Sequence, residues 1–192
     1  FPAEIEDVKC AIRFLRANAV KYDLDPNRIG AWGGSAGGHL VALLGTSDAS
    51  AGLEGSGGYA EQSSRVQAVV DMFGPADFTG DYIPAGSRLM QNVFGASASN
   101  ASEIAKRYSP TTYISKDDPP FLILHGALDE VVPLSQSQIL LEKLKAGGVD
   151  ATLVVVKNAG HGFSRAGGAI RPSRTEITRM VADFFDRQLK GK

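Results

Sequence analysis

Residues 33 to 38 read Gly33-Gly34-Ser35-Ala36-Gly37-Gly38, a run of small residues with one hydroxyl near its centre. Before it, Arg28-Ile29-Gly30-Ala31-Trp32-Gly33 reads as a short buried strand; after it, Ala36 to Leu44 reads as a helix. A strand that turns at once into a helix brings its flanking residues against neighbouring backbone, where bulky side chains collide. Glycine and alanine fit there. The same stretch matches G-x-S-x-G, which by itself also describes a glycine-rich turn with a serine N-cap. A phosphate-binding loop would want Lys then Ser or Thr after its glycines, and this chain has Gly38-His39-Leu40.

The rest of the chain sets the fold class. Ile5, Val8, Ala11, Ile12, Leu15 and Ala19 recur at helical spacing and predict a helix over Glu4–Tyr22. Val66–Phe73 and Phe121–Leu124 are nearly continuous apolar runs, as strands buried on both faces should be. Thr152–Val156 is a fourth strand, and Ser135–Ala146 and Arg174–Leu189 are further helices. Ser47–Ser64 reads as loop. Gly74–Asp118 reads as irregular, with short helices around Ser87–Val93 and Ser102–Arg107. Strands alternating with helices predict an α/β fold: a mostly parallel sheet of about four core strands with helices on both faces. Active groups in such sheets gather at the carboxyl ends of the strands.

Composition narrows the function classes. The 192 residues are 43% hydrophobic and 21% charged, enough for a real core in one domain. Net charge is −1, with both signs interspersed, so a nucleic-acid partner is not expected. No apolar run reaches the roughly eighteen residues of a membrane span. The N-terminus lacks the basic start and apolar stretch of a signal peptide. One cysteine, Cys10, allows no internal disulfide, and the scattered histidines form no metal-ligand pattern.

A serine hydroxyl needs a base to become a nucleophile. His39 lies one turn into the helix after Ser35 and His125 ends the third strand; both read as structural. His161, in Gly160-His161-Gly162-Phe163, follows the fourth strand with room on either side. The acid that orients the base is expected at Asp129, just after the third strand. Neighbouring Glu130 is expected in solvent, and Asp77 is expected in a turn with a lesser claim to the acid role. Ser35, Asp129 and His161 then run nucleophile, acid, base, each after a different strand. Ala36 opens a helix, so its N–H is the expected oxyanion donor. Gly34, Val132 and Phe163 are candidate substrate-contacting residues. No metal and no cofactor are expected.

With these residues in place, the chain resembles the α/β-hydrolase superfamily, and within it the bacterial acetyl-xylan and feruloyl esterase-like group that borders on lipases and acyl-peptidases. The resemblance rests on Arg28 to Leu40, on Pro119-Pro120-Phe121-Leu122-Ile123-Leu124-His125-Gly126 with Asp129 and Val132-Pro133, and on Gly160-His161-Gly162-Phe163. It implies a serine esterase acting on a small ester or an esterified polysaccharide, in an extracellular or periplasmic setting. An amide-cleaving acyl-peptidase and a non-catalytic module of the same fold are the alternatives. The resemblance departs at one point. The family's His-Gly-Gly-Gly-like loop, which supplies a second oxyanion donor, has no counterpart here, so the chain reads as the carboxyl-terminal portion of the fold. The nucleophile strand is then expected at an edge, open to a complementing N-terminal segment or to a second copy in a homo-oligomer.

Overall fold

The computed structural model describes residues 1–80, 82–83, 87–97 and 99–190. The parts of the irregular 74–118 stretch at 81, 84–86 and 98 lie outside the described residues. In chain order the elements are α1 (Ala3–Ala17), β1 (Gly30–Gly34), α2 (Ala36–Thr46), β2 (Ala68–Met72), α3 (Arg88–Phe94), α4 (Ala101–Tyr108), β3 (Phe121–Gly126), α5 (Leu134–Ala146), β4 (Ala151–Val156) and α6 (Arg174–Leu189). The four strands form one parallel sheet in the order β1-β2-β3-β4, with Gly34 opposite Met72, Met72 opposite Leu124 and Gly126 opposite Val156.

Both faces of the sheet are covered. Val69, Ile123 and Ala151 point to one side and share a core with Ile5 and Ile12 of α1, Leu43 and Leu44 of α2, and Leu140 and Leu144 of α5. Val70, Met72, Leu122 and Leu124 point to the other side, against Ile177, Val181 and Phe184 of α6. Eight of the residues of α2 are buried, as suits a helix enclosed between the sheet and α1. The start of α6 is fixed by a reciprocal cap: Ser173 Oγ accepts from Glu176 N–H, and the Glu176 carboxylate accepts from Ser173 N–H.

The expected elements are all present, with shifted ends. α1 stops at Ala17 instead of Tyr22: Asn18 bonds back to the Phe14 carbonyl, and beyond the buried Ala19 the chain turns to solvent, with Val20 98% exposed. β1 begins at Gly30, two residues late, since the Ile29 N–H goes to the Gln67 side chain and not to the ladder. β3 continues through His125 and Gly126, which still pair with Val155 and Val156. The 47–64 loop carries one 3-10 turn, Ala49–Ala51.

That loop is tied down by charge. Lys9, fully buried on α1, donates to Glu54 Oε1 at 2.8 Å, Ser47 O at 2.8 Å and Ser64 Oγ at 3.4 Å. Arg13 donates to Glu54 Oε2 at 2.8 Å and to the Glu54 carbonyl at 3.1 Å. Burial alone would raise the Glu54 carboxyl, but the Lys9 and Ser64 hydrogen bonds and the charges of Lys9 and Arg13 outweigh it and hold it below its usual range. Glu54→Ala leaves two buried cations without their anion and is expected to cost about 3 kcal/mol in chemical denaturation. Because the folded-state value is depressed, the stabilisation from Glu54 is present above the unfolded value and is lost as pH falls. Acid titration of the variant is therefore expected to show a shallower loss of stability than the parent.

Candidate active site

The serine turn is built by the junction of β1 and α2. Ser35 sits between them with φ 56° and ψ −121°, a backbone conformation that a side-chain-bearing residue rarely adopts. Its N–H donates to the Met72 carbonyl at the end of β2, at 2.9 Å. A Cβ on Gly33 would collide with the Gly37 carbonyl, so only glycine lets the chain fold back this tightly. Ala36 is the first residue of α2, where the N–H lacks an intrahelical acceptor and the helix dipole favours negative charge.

Two other strand ends meet this turn. After β3, the Asp129 side chain is fully buried, and its Oδ1 accepts from the N–H groups of Val131 and Val132, both at 2.9 Å. Its Oδ2 faces His161 Nδ1 at 2.8 Å. After β4, His161 opens a 3-10 turn, and its Nε2 lies 2.9 Å from Ser35 Oγ. A carboxylate on Nδ1 fixes the tautomer: Nδ1–H donates to Asp129, leaving Nε2 to accept the Ser35 hydroxyl proton. The Phe73 ring stands edge-on to the imidazole at 4.9 Å and backs it on the sheet side.

The other two histidines are held neutral. His39 is buried on α2, Nε2–H donating to the Tyr108 carbonyl at 2.7 Å, and burial pushes it down to about 4. His125 donates from Nε2 to the Val132 carbonyl at 2.8 Å and has Nδ1 2.7 Å from Ser137 Oγ; burial lowers it as well. Its Nε2 also lies 3.4 Å from Asp129 Oδ2, so it buttresses the loop that carries the acid. Asp77 makes a turn, accepting the Thr79 N–H at 2.8 Å, and Glu130 is exposed.

A cavity of about 400 Å³ opens at Ser35 and Ala36. Its walls are largely apolar, with Leu40, Phe78, Ile83, Phe94, Val131 and Val132 among them. Tyr82 also lines it and donates its hydroxyl to the Val131 carbonyl at 3.2 Å; burial, then the Asp129 charge, raises that phenol. Val132 lies on this wall. Gly34 and Phe163 are not on this wall. The Gly34 Cα faces the Phe73 ring, and the buried Phe163 packs against Phe73 at 4.9 Å, beneath His161. Phe78, Tyr82 and Phe94 of the irregular 74–118 stretch, which the sequence suggests overhangs the site, form part of this wall, though no local pattern singles out these three residues. A larger cleft of about 630 Å³ at the opposite end of the strands is lined by Arg16 and Arg65, whose guanidinium groups are already spent on backbone carbonyls, among them those of Pro26, Ser63 and Asp117.

Known proteins share this arrangement of chain. Esterase LipC of Mycobacterium tuberculosis is 33% identical over 194 residues, which covers 98% of this chain and 47% of LipC. The chain thus spans about half the length of the curated relatives it matches. A solved truncated form of a carbohydrate esterase from gut microbiota superposes with TM-score 0.84 at 34% identity, covering 100% of this chain and 70% of that one. A bifunctional GH43-CE protein of Bacteroides eggerthii gives TM-score 0.81 at 39% identity, covering 98% of this chain and 27% of that one. These neighbours carry the α/β-hydrolase fold expected from the order of strands and helices. The BD-FAE family model matches residues 1–144, three quarters of the length, and the chain belongs to the BD-FAE family.

Proposed function

We propose that this chain is a serine hydrolase of carboxylic esters, with Ser35 as nucleophile, His161 as base and Asp129 as the acid that orients the base. One observation carries the reading: Ser35 Oγ, His161 and Asp129 stand in a continuous relay, with steps of 2.9 and 2.8 Å. Ser35 Oγ attacks the ester carbonyl while His161 Nε2 takes its proton. The tetrahedral oxyanion forms beside the Ala36 N–H at the positive end of α2. The C–O bond to the alcohol then breaks, and the alcohol leaves with the proton held by His161. Water repeats the sequence on the acyl-enzyme, releasing the acid and restoring the Ser35 hydroxyl. The Asp129 carboxylate orients the ring and balances the imidazolium.

The apolar cavity beside Ser35 suits the acyl group of a small ester, with Val132 as part of its wall. An esterified polysaccharide fits as the alcohol side, in line with the carbohydrate esterase among the structural neighbours. The mechanism needs no metal or cofactor. An amide substrate is the second reading, since an uncharacterized peptidase of Bacillus subtilis, YuxL, is 29% identical over 175 residues. The ester reading has the fuller support, from relatives named as esterases at 33% and 32% identity over nearly the whole chain.

We also infer that the outer flank of β1 is covered in the working protein. Among the described residues β1 pairs only with β2, and Trp32 on it is 56% exposed. An open apolar edge of this kind invites another strand. A segment joined to this single domain, or a second copy, would supply that strand. Light scattering with amide exchange at Gly30–Gly34 tests the second-copy form: a dimer with slow exchange is expected, and a monomer with fast exchange there counts against it.

Turnover of p-nitrophenyl acetate is expected, with little or none of an aminoacyl-anilide. Ser35→Ala should reduce kcat on the order of 10⁶-fold, and a fluorophosphonate adduct should form on Ser35 and nowhere else. Asp129→Asn should leave the fold intact but cost about 10⁴-fold in kcat, because it favours the wrong imidazole tautomer. An Asp129→Asn enzyme as fast as the parent would remove the relay from the reaction.

A further inference from the structure

Asp71 takes no part in the relay, yet it lies beneath it. It sits on β2 opposite Gly33 and Ile123 and is fully buried. Its Oδ1 accepts the Gly74 N–H at 3.0 Å, and its Oδ2 has no partner among the described residues. The backbone around it leaves space for this carboxyl and nothing more. A Cβ on Gly38 would collide with Oδ1, with the Met72 carbonyl and with Gly74 Cα. A Cβ on Gly74 would collide with the same Oδ1 and with the backbone of Gly38 and His39. The carboxyl is thus wedged between the first turn of α2 and the turn that follows β2. Ser35 is joined to this arrangement on both sides. Its N–H is bonded to Met72, the residue after Asp71, and Gly38 stands three residues beyond it.

We propose that Asp71 is a positioning residue for the reaction at Ser35, holding the first turn of α2 against the end of β2 so that the serine hydroxyl and the Ala36 N–H keep their places. The role rests on the esterase reading above. Asp71 performs it in its uncharged form. Burial pushes its carboxyl up to about 7, with the Gly74 N–H acting in the opposite direction. The titratable groups on the elements around it are His39 on α2 and His125 on β3, both kept neutral by burial, and Asp77 beyond Gly74, which bonds Thr79. β1 has none. The charged Glu142, Lys143 and Lys145 of α5 are exposed, α6 packs on the other face of the sheet, and Asp129 and His161 stand at the rim in the relay. Ionised, Asp71 would place a negative charge under the helix end that has to receive the oxyanion, in surroundings with little water to screen it. The rate at Ser35 therefore falls as pH rises through the Asp71 titration.

The experiment measures the fluorophosphonate labelling rate of Ser35 and the turnover of p-nitrophenyl acetate from about pH 5.5 to about pH 9. The parent should slow severalfold above its neutral optimum. Asp71→Asn keeps an acceptor for Gly74 and cannot ionise, so its rate should stay level over the same range. Asp71→Ala should be slower by about tenfold to a hundredfold at every pH, with KM little changed. If Asp71→Ala does not fold, the Asp71→Asn profile decides alone. An Asp71→Asn profile that falls with the parent's, or that is dead throughout, overturns the proposal, as does Asp71→Ala labelled at the parent's rate. A parent that is never labelled at Ser35 overturns the esterase reading and the Asp71 role together, an outcome distinct from equal labelling of parent and variants.

Discussion

The hydrogen bond from the Ser35 N–H to the Met72 carbonyl decides where this chain leaves the sheet. A non-glycine residue at φ 56° costs on the order of 1–3 kcal/mol and persists only where its surroundings over-determine it. Here the surroundings are the backbone bond to β2, the close approach of Gly33 to Gly37, and the packing of Gly38 on Met72 and Gly74. The geometry that results has two consequences at once. It carries Oγ out of the sheet toward His161, and it leaves the Ala36 N–H free at the start of α2. Relaxing the turn would move both groups together, so the Ser35 hydroxyl and the Ala36 N–H are one structural unit.

Burial and partner choice give three identical imidazoles three different uses. His39 has no solvent and one carbonyl acceptor, which fixes it as a neutral donor joining α2 to α4 through Tyr108. His125 bridges Val132 and Ser137, so it braces the loop after β3 against α5. His161 has the Asp129 carboxylate at 2.8 Å on Nδ1 and the Ser35 hydroxyl at 2.9 Å on Nε2, and its side chain retains 25% exposure where that of His125 is fully buried. In the proposed reaction exposure matters, because the ring becomes an imidazolium on the way and a ring enclosed like that of His39 would resist the charge.

What the sequence made legible was local. The small residues around Ser35, the apolar runs of β2 and β3, and the order of serine, aspartate and histidine are all readable from neighbours along the chain. They place the strands and bring the three relay residues to the same rim. Features that depend on distant contacts were not legible. The start of β1 is set by the side chain of Gln67, and the end of α1 by the exposure of Val20. Phe163, beside Gly162, is held at φ 53° against Phe73. Asp71 was not legible in the apolar run of β2, because its meaning depends on Gly38 and Gly74 closing over it.

The open flank of β1 sharpens the division of labour around the nucleophile. Among the described residues, the contacts that fix the Ser35 backbone come from the β2 side or from α2 itself: Met72, Gly37, Gly38, Gly74 and the Asp71 carboxyl between them. The other flank of β1, with Trp32 half exposed, adds nothing to that constraint. A strand docked there would therefore have little to contribute to the shape of the turn. What it could bring is chemistry: a second hydrogen-bond donor facing the Ala36 N–H across the oxyanion, and a wall that excludes water from it. In the proposed reaction the serine turn supplies the Ala36 N–H, and a donor from a strand docked on β1 would approach the oxyanion from outside that turn.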